Sequence, residues 1–438
     1  MGTRSSRVVS RRLTALGAAL VAAMALGAYV GAPPVAGTQA FPAASRIRLG
    51  LLLRPSAKLG DGAEGGESES STSVALSSNG DTAMVGAPDD DGGVGSVSVF
   101  TRSGSTWIQQ GPALTGGGEI GQGEFGWSVA LSADGDVALV GGPSDGASRE
   151  HRCCATGAVW VFRRSGSTWT QQAELADGRA GDSAEFGSSV ALSSGGRTAL
   201  IGARGFGHAG AAWIFTDTRS GWQRGAELTG PRASPHAFFG SSVALSSGGG
   251  TALIGGDGNK GGGAAWVFTR RHSGWISQGA TLTGKDNSVF ARFGVAVALS
   301  GAGDTALVGA GGEGGEQGAA WIFTRSRSIW QRRKKLTARG ETPLGNFGES
   351  VALSSNGKIA LIGCPQDNSS GLERVGAAWL FSGSGSSWTQ RAEIAAPATS
   401  GEDGLFGLRL ALSGAGTTAL VGVEVDDGDP GTAWVLAD

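Results

Sequence analysis

One stretch constrains the fold more than any other: Phe186-Gly187-Ser188-Ser189-Val190-Ala191-Leu192-Ser193, followed by Thr198-Ala199-Leu200-Ile201-Gly202-Ala203. Its Val-Ala-Leu-Ser core starts again at Val74, Val129, Val243, Val297 and Val351, and returns as Leu-Ala-Leu-Ser at Leu410. Counting Val190 in its place, the steps are 55, 61, 53, 54, 54 and 59 residues. A unit of this length, made of short strand-like pieces, cannot bury a core by itself and must stack with its copies, as in a propeller or a solenoid.

Each unit reads as four short strands. In the third copy, Ser189 to Ser193 alternates Val190 and Leu192 with small residues, the period of a strand. The turn Ser194-Gly195-Gly196-Arg197 leads to a second strand, Thr198 to Gly202. Other copies place Asn79-Gly80, Asp134-Gly135 or Asn356-Gly357 there, pairs suited to hairpins that need positive φ. A variable loop then precedes Gly210 to Phe215, and a polar turn precedes Trp222 to Leu228. Seven such units predict an all-β, seven-bladed propeller of four-stranded antiparallel blades.

Tryptophan marks the same two places in successive units. Trp160, Trp213, Trp266, Trp321, Trp379 and Trp434 share one site in the third strand, and Trp107, Trp169, Trp222, Trp275, Trp330 and Trp388 one site in the fourth. A fixed place in each blade favours core packing over sugar stacking. The last unit stops after its third strand, at Trp434 to Asp438, whereas Ser56-Ala57-Lys58-Leu59-Gly60 matches Gln172-Ala173-Glu174-Leu175-Ala176. The N-terminal segment is therefore expected to supply the missing strand, closing the ring and covering an open sheet edge.

The first 40 residues stand apart. Arg4, Arg7, Arg11 and Arg12 precede an uncharged apolar run from Leu13 to about Ala32. This is the layout of an export signal, with cleavage expected before Phe41, and Ser10-Arg11-Arg12 faintly has the twin-arginine form. The run of about 20 residues is also long enough to stay as a membrane anchor. Residues 1–40 are thus read as signal peptide or anchor and 41–438 as propeller, on a secreted or cell-surface protein. Eighty glycines recur at fixed offsets beside Val, Leu, Ile and Trp, so they mark turns and close packing. With three cysteines, Cys153, Cys154 and Cys364, there is no disulfide scaffold.

Phe125-Gly126, Phe186-Gly187, Phe239-Gly240, Phe293-Gly294, Phe347-Gly348 and Phe406-Gly407 open six of the units, with Val85-Gly86-Ala87-Pro88 and the Gly-Ala-Ala-Trp strands following the same order. The first unit instead has Ser70-Ser71 at that place. From about residue 55 to 438 the chain resembles the FG-GAP repeat of integrin α-subunit propellers and of many bacterial exported proteins. The resemblance implies a propeller that binds other molecules, and blades of that kind often carry an Asp-x-Asp-x-Asp-Gly calcium loop. This chain departs from that pattern: Arg197, Lys358 and Thr417 stand where acidic ligands belong, and the turns are too short to supply the six to eight oxygens that calcium takes.

Function is expected on one face. The second-to-third-strand and blade-to-blade loops vary in length, the place where binding specificity sits. By sequence boundaries those loops carry about 27 acidic and ten basic residues, a net charge near −17, within a chain of formal net charge −2. Basic residues gather instead near the third turn and fourth strand, as in Arg163-Arg164, Arg270-Arg271 and Arg332-Arg333-Lys334-Lys335. The near-neutral total gives no reason to expect nucleic acid as a partner.

The densest acidic loops hold the candidate binding residues Asp89, Asp90, Asp91, Asp426, Asp427 and Asp429. Among these, Asp89, Asp91, Asp427 and Asp429 are candidate ligands for a divalent ion such as Ca2+; solubility is the blander reading of the same charge. No other cofactor is implied. His151, Cys153 and Cys154 cluster in one loop, but a metal site would need a fourth ligand. No nucleophile elbow or metallohydrolase pairing occurs. The sequence therefore points to an exported, non-enzymatic scaffold for cell-surface interaction or adhesion, with a protein or glycan as partner. A propeller enzyme (hydrolase or lyase) with a site at the central channel is the alternative, and it needs acids and bases converging there.

Overall fold

Apolar alternation, Gly-containing turns and β-branched residues give the described residues 28 strands in seven four-stranded sheets. The structure is a computed structural model and describes residues 53–60, 73–146, 155–177, 183–285, 288–340, 344–368, 374–397, 404–426 and 429–438. In blade three the strands are Phe186–Leu192, Thr198–Ala203, Ala211–Thr218 and Gly221–Leu228, paired antiparallel in that order. The seven blades form a ring, as the repeat predicts, with their first strands innermost.

Closure occurs as expected, down to the register. Arg54–Leu59 pairs with Asp429–Ala437, so the last sheet runs from the N-terminal strand to Arg409–Leu412. Ala57 faces Val435 and Leu59 faces Ala433, with a bulge between Pro55 and Ala57. The outer strand of blade two repeats the pattern: Ala173 faces Val161, Leu175 faces Val159, and the bulge falls between Val161 and Phe162, whose partners are Ala173 and Gln171. Ser56 therefore stands in for Gln172 as the bulged residue.

Each Phe-Gly dipeptide is the joint between two blades. Its phenyl ring packs into its own blade, as Phe186 does with Trp213 at 5.6 Å and Phe215 at 6.0 Å between ring centroids. Its backbone docks on the preceding blade. Gly240 O lies so near Gly202 that a Cβ there would sit 2.1 Å from it, and Ser189 Oγ donates to the same oxygen at 2.8 Å. The same carbonyl contact joins Gly126 to Gly86, Gly187 to Gly141, Gly294 to Gly255, Gly348 to Gly309 and Gly407 to Gly363. Glycine is required at these second-strand positions because a neighbouring backbone occupies the space of a side chain.

The Ser that ends each core motif has a defined task. Ser77, Ser132, Ser193, Ser246, Ser300, Ser354 and Ser413 are buried, and each Oγ accepts the N–H of the residue five positions on, at 2.9–3.0 Å. This local side-chain bond fixes the first hairpin and satisfies an N–H that the turn leaves unpaired.

The next residue in each turn links the blades. Ser78 N–H donates to Ala133 O, Ala133 to Ser194, Ser194 to Ser247, Ser247 to Gly301, Gly301 to Ser355, Ser355 to Gly414, and Gly414 back to Ser78, all at 2.8–3.0 Å. Seven peptide hydrogen bonds thus form an unbroken circle around the axis.

The third-strand tryptophans Trp160, Trp213, Trp266, Trp321 and Trp379 are core residues, at most 4% exposed. Trp434 is half-buried. The fourth-strand set also packs against these cores, less deeply: Trp388 is buried, whereas Trp107, Trp169, Trp222, Trp275 and Trp330 are half-buried. They cover the rim of each sheet, where Arg164 and Arg325 lie over the rings of Trp169 and Trp330 at 5.5 and 5.6 Å. Cys364 is buried, its Sγ 2.9 Å from Gly345 O.

Two stability predictions follow from the joints. Deleting residues 41–60, which removes the strand Arg54–Leu59, should lower the melting temperature markedly because it bares the edge of Asp429–Ala437; an unchanged transition in a thermal melt would contradict the closure. Gly202→Ala should cost about 1–3 kcal/mol in urea unfolding through overpacking, whereas the same change at exposed Gly195, where a Cβ meets nothing within 4 Å, should be nearly silent.

Candidate functional site

The face opposite the circle of turns carries the variable loops. The residue before each Phe-Gly joint is left-handed: Glu124, Glu185, Phe238, Arg292, Asn346 and Leu405 have φ between 48° and 59°. Non-glycine residues adopt that region sparingly, so the joint imposes it. Six copies of one backbone geometry therefore carry five different side-chain types at the start of the loop face, of which Phe238 is exposed, Leu405 is buried and the others are half-buried. Sequence inspection missed this position because its residue type carries no signal.

Many of the acidic side chains counted on this face are tied into the protein. Asp145 is 7% exposed and accepts the Ile120 N–H at 2.7 Å. Glu313, 5% exposed, accepts from the Trp321 indole N–H at 2.7 Å and pairs with Lys335 at 2.7 Å. Asp177 pairs with Arg224 and Glu185 with Arg204. Arg292 makes a two-pronged pair with Glu349, at 2.9 and 3.0 Å, and approaches Asp257 at 3.7 Å. The negative field expected from the sequence is therefore partly compensated from within.

The candidate residues of the first blade stay near solvent. Asp90–Gly93 form a single helical turn, with Asp89 before it and Asp91 left-handed at φ 50°. Asp89 and Asp90 are half-buried and Asp91 is exposed. In the last blade, Asp426 faces Asp429 at the tip of a hairpin, and Asp427 lies outside the described residues. Among the described residues, no three His, Cys, Asp or Glu side chains converge in a way that could hold a metal ion. His151, Cys153, Cys154 and residues 1–40 also lie outside the described residues.

A carboxylate cluster in blade two was not anticipated. Burial pushes Glu119 up to a pKa of about 7, with Asp145 nearby adding to the shift and the Gly123 N–H, which Glu119 accepts at 3.0 Å, opposing it. Burial also raises Asp145, and Glu174 is raised by burial and by the charge of Asp145. The folded chain thus holds the Glu119 proton more tightly than the unfolded chain does. Stability contributed by this group is full below pH 4.5 and is lost as pH rises to about 7. Glu119→Gln keeps an acceptor for the Gly123 N–H and removes the charge. Its melting temperature should match the parent at pH 4.5 and exceed it at pH 8.

The inner strands carry little chemistry. They consist of Ser, Val, Ala, Leu, Phe and Gly apart from Arg409, whose charge is opposed by Glu349 and Glu424. No helix among the described residues is long and apolar enough to cross a membrane.

Fold and joints together define a seven-bladed β-propeller assembled from Phe-Gly-opened repeats. Residues 169–215 and 276–323 match the family model described as FG-GAP repeat. Each matched segment runs from the outer strand of one blade to the third strand of the next, across the Phe186 or Phe293 joint. The chain thus contains FG-GAP repeats within a seven-bladed propeller, consistent with the integrin-like kind. Such repeats are typical of extracellular proteins, and the fold suggests a binding or scaffold role. No curated protein matched the sequence.

Proposed function

We propose that this protein is an exported, non-enzymatic scaffold that presents its loop face to a protein or glycan at the cell exterior, in surface interaction or adhesion. One observation carries the reading: a single backbone geometry recurs at six equivalent joints while its side chain changes among Glu124, Glu185, Phe238, Arg292, Asn346 and Leu405, with Phe238 exposed, Leu405 buried and the others half-buried. A rigid frame with a variable display is what recognition needs, because little ordering entropy is lost on binding.

Two further features support it. Asp89, Asp90 and Asp91 form an acidic projection on that face, and the opposite mouth is committed to the circle of hydrogen-bonded turns. A channel enzyme would need several acids and bases on the inner strands, which hold Arg409 as their one charged side chain.

The test is capture of cell-surface proteins and an array of glycans by the full chain, with Asp89→Asn/Asp90→Asn/Asp91→Asn as the comparison. Saturable binding should fall about tenfold in the triple variant, the size expected for losing one or two good charge contacts. Binding that ignores this triple change but responds to substitutions on the turn face would place recognition elsewhere.

A further inference from the structure

The run Arg332-Arg333-Lys334-Lys335 has no part in the loop-face reading. It lies in the outer strand of blade five, Ile329–Leu336, beside the outer strand of blade six, Ser387–Ala395. Between the two strands runs an open groove of about 500 Å³. Lys334 and Arg339 line it from one side and Arg391 from the other, and among the described residues none of the three is ion-paired. Lys335 differs: it is held by Glu313 and lies over the Trp321 ring. Glu393 is the one acidic residue in the lining.

Two of those three cations are anchored, Arg339 through its backbone and Arg391 through its guanidinium. Gln390 accepts the Arg339 N–H through Oε1 at 2.8 Å and donates to the Arg339 carbonyl through Nε2 at 3.2 Å, which pins the Arg339 backbone across the blade boundary. Gln171 makes the same clip on Gly117 in blade two, where the clipped residue has no side chain. Arg391 sits at the strand bulge and donates from Nε to Ser382 Oγ at 2.5 Å. Trp388, 8% exposed and part of the lining, keeps an indole N–H without a partner. Its counterparts Trp169 and Trp330 donate to Gln110 and Gln278, and the matching position in blade five is Arg333.

We propose that this groove binds an acidic polysaccharide, a chain bearing carboxylate or sulfate groups. Positive charge on both walls fits a repeating anion, and Arg supplies the planar fork that suits carboxylate and sulfate oxygens. Thr337 and Thr389 add hydroxyls for neutral sugar oxygens. The large apolar lining residues Leu336, Phe381 and Trp388 are buried and Ala392 is a half-buried methyl, so a protein partner finds no large apolar anchor. No exposed aromatic ring lines the groove to stack nucleic-acid bases.

The experiment titrates the full chain onto an immobilised sulfated glycan and a polyuronate, with neutral dextran and single-stranded DNA as comparisons. Expected is salt-sensitive binding to both acidic glycans, none to dextran and much weaker binding to DNA. Lys334→Glu/Arg339→Glu should weaken glycan binding at least about tenfold, and Arg391→Gln should lower the salt needed for elution. Arg270→Glu/Arg271→Glu, an equal charge change on the turn face, should leave binding intact, with melting curves checking the fold of every variant. Equal loss in that second pair, equally tight binding to DNA, or no binding to either glycan overturns the assignment. Loss of the loop-face partner does not bear on it, because Asp89, Asp90 and Asp91 are not part of the groove.

Discussion

A carbonyl oxygen pressed against a bare Cα recurs six times around this ring, and the remaining architecture depends on it. The oxygen belongs to the glycine of a Phe-Gly joint, and the bare Cα to the second strand of the preceding blade. In five of the six joints a first-strand Ser hydroxyl also donates to that oxygen, at 2.6–2.8 Å. The fifth blade has Ala296 at the corresponding position, so its joint keeps the close contact without the hydroxyl. Backbone contact of this kind sets the distance between sheets before side chains are considered. In four of these joints the phenyl ring of the same dipeptide then packs against the third-strand Trp and Phe of its own blade, so a single joint fixes both neighbours.

The seventh joint is built differently. The first blade lacks Phe-Gly, and the last sheet instead takes its outer strand from residues 54–59. The circle of turn hydrogen bonds passes through this junction without interruption, from Gly414 to Ser78. Two devices on different radii thus hold the ring together where the chain begins and ends. The turn face is committed to structure and the loop face is left for recognition, a division typical of scaffolds whose loops carry function.

Charge follows the same division of labour only in part. Sequence counting puts a large negative excess on the loop face, yet Asp145, Glu313 and Asp177 point inward to backbone, indole or guanidinium partners. Where no cation among the described residues offsets them, as among Glu119, Asp145 and Glu174, burial raises the carboxylate pKa values, and the charge of Asp145 adds to the shift at Glu119 and Glu174. Among the described residues, unpaired positive charge also lines the outer rim between blades five and six, where a glutamine clip pins the backbone of Arg339 across the blade boundary.

The amino-acid sequence alone determined the number of blades, the four-strand unit, the closing strand with its partner and the buried third-strand tryptophans. These rest on period, alternation and composition, which local chemistry writes directly into the chain. It also marked the serine of each Val-Ala-Leu-Ser motif without disclosing its role, since a hydroxyl that caps a hairpin looks the same as one facing solvent. Only the tertiary structure decided which carboxylates are consumed, why a left-handed residue precedes each joint, and which cations share a groove. Several of those contacts join residues 25, 51 and 57 positions apart, and Arg292–Glu349 and Arg339–Gln390 cross a blade boundary, where no local pattern records the distance.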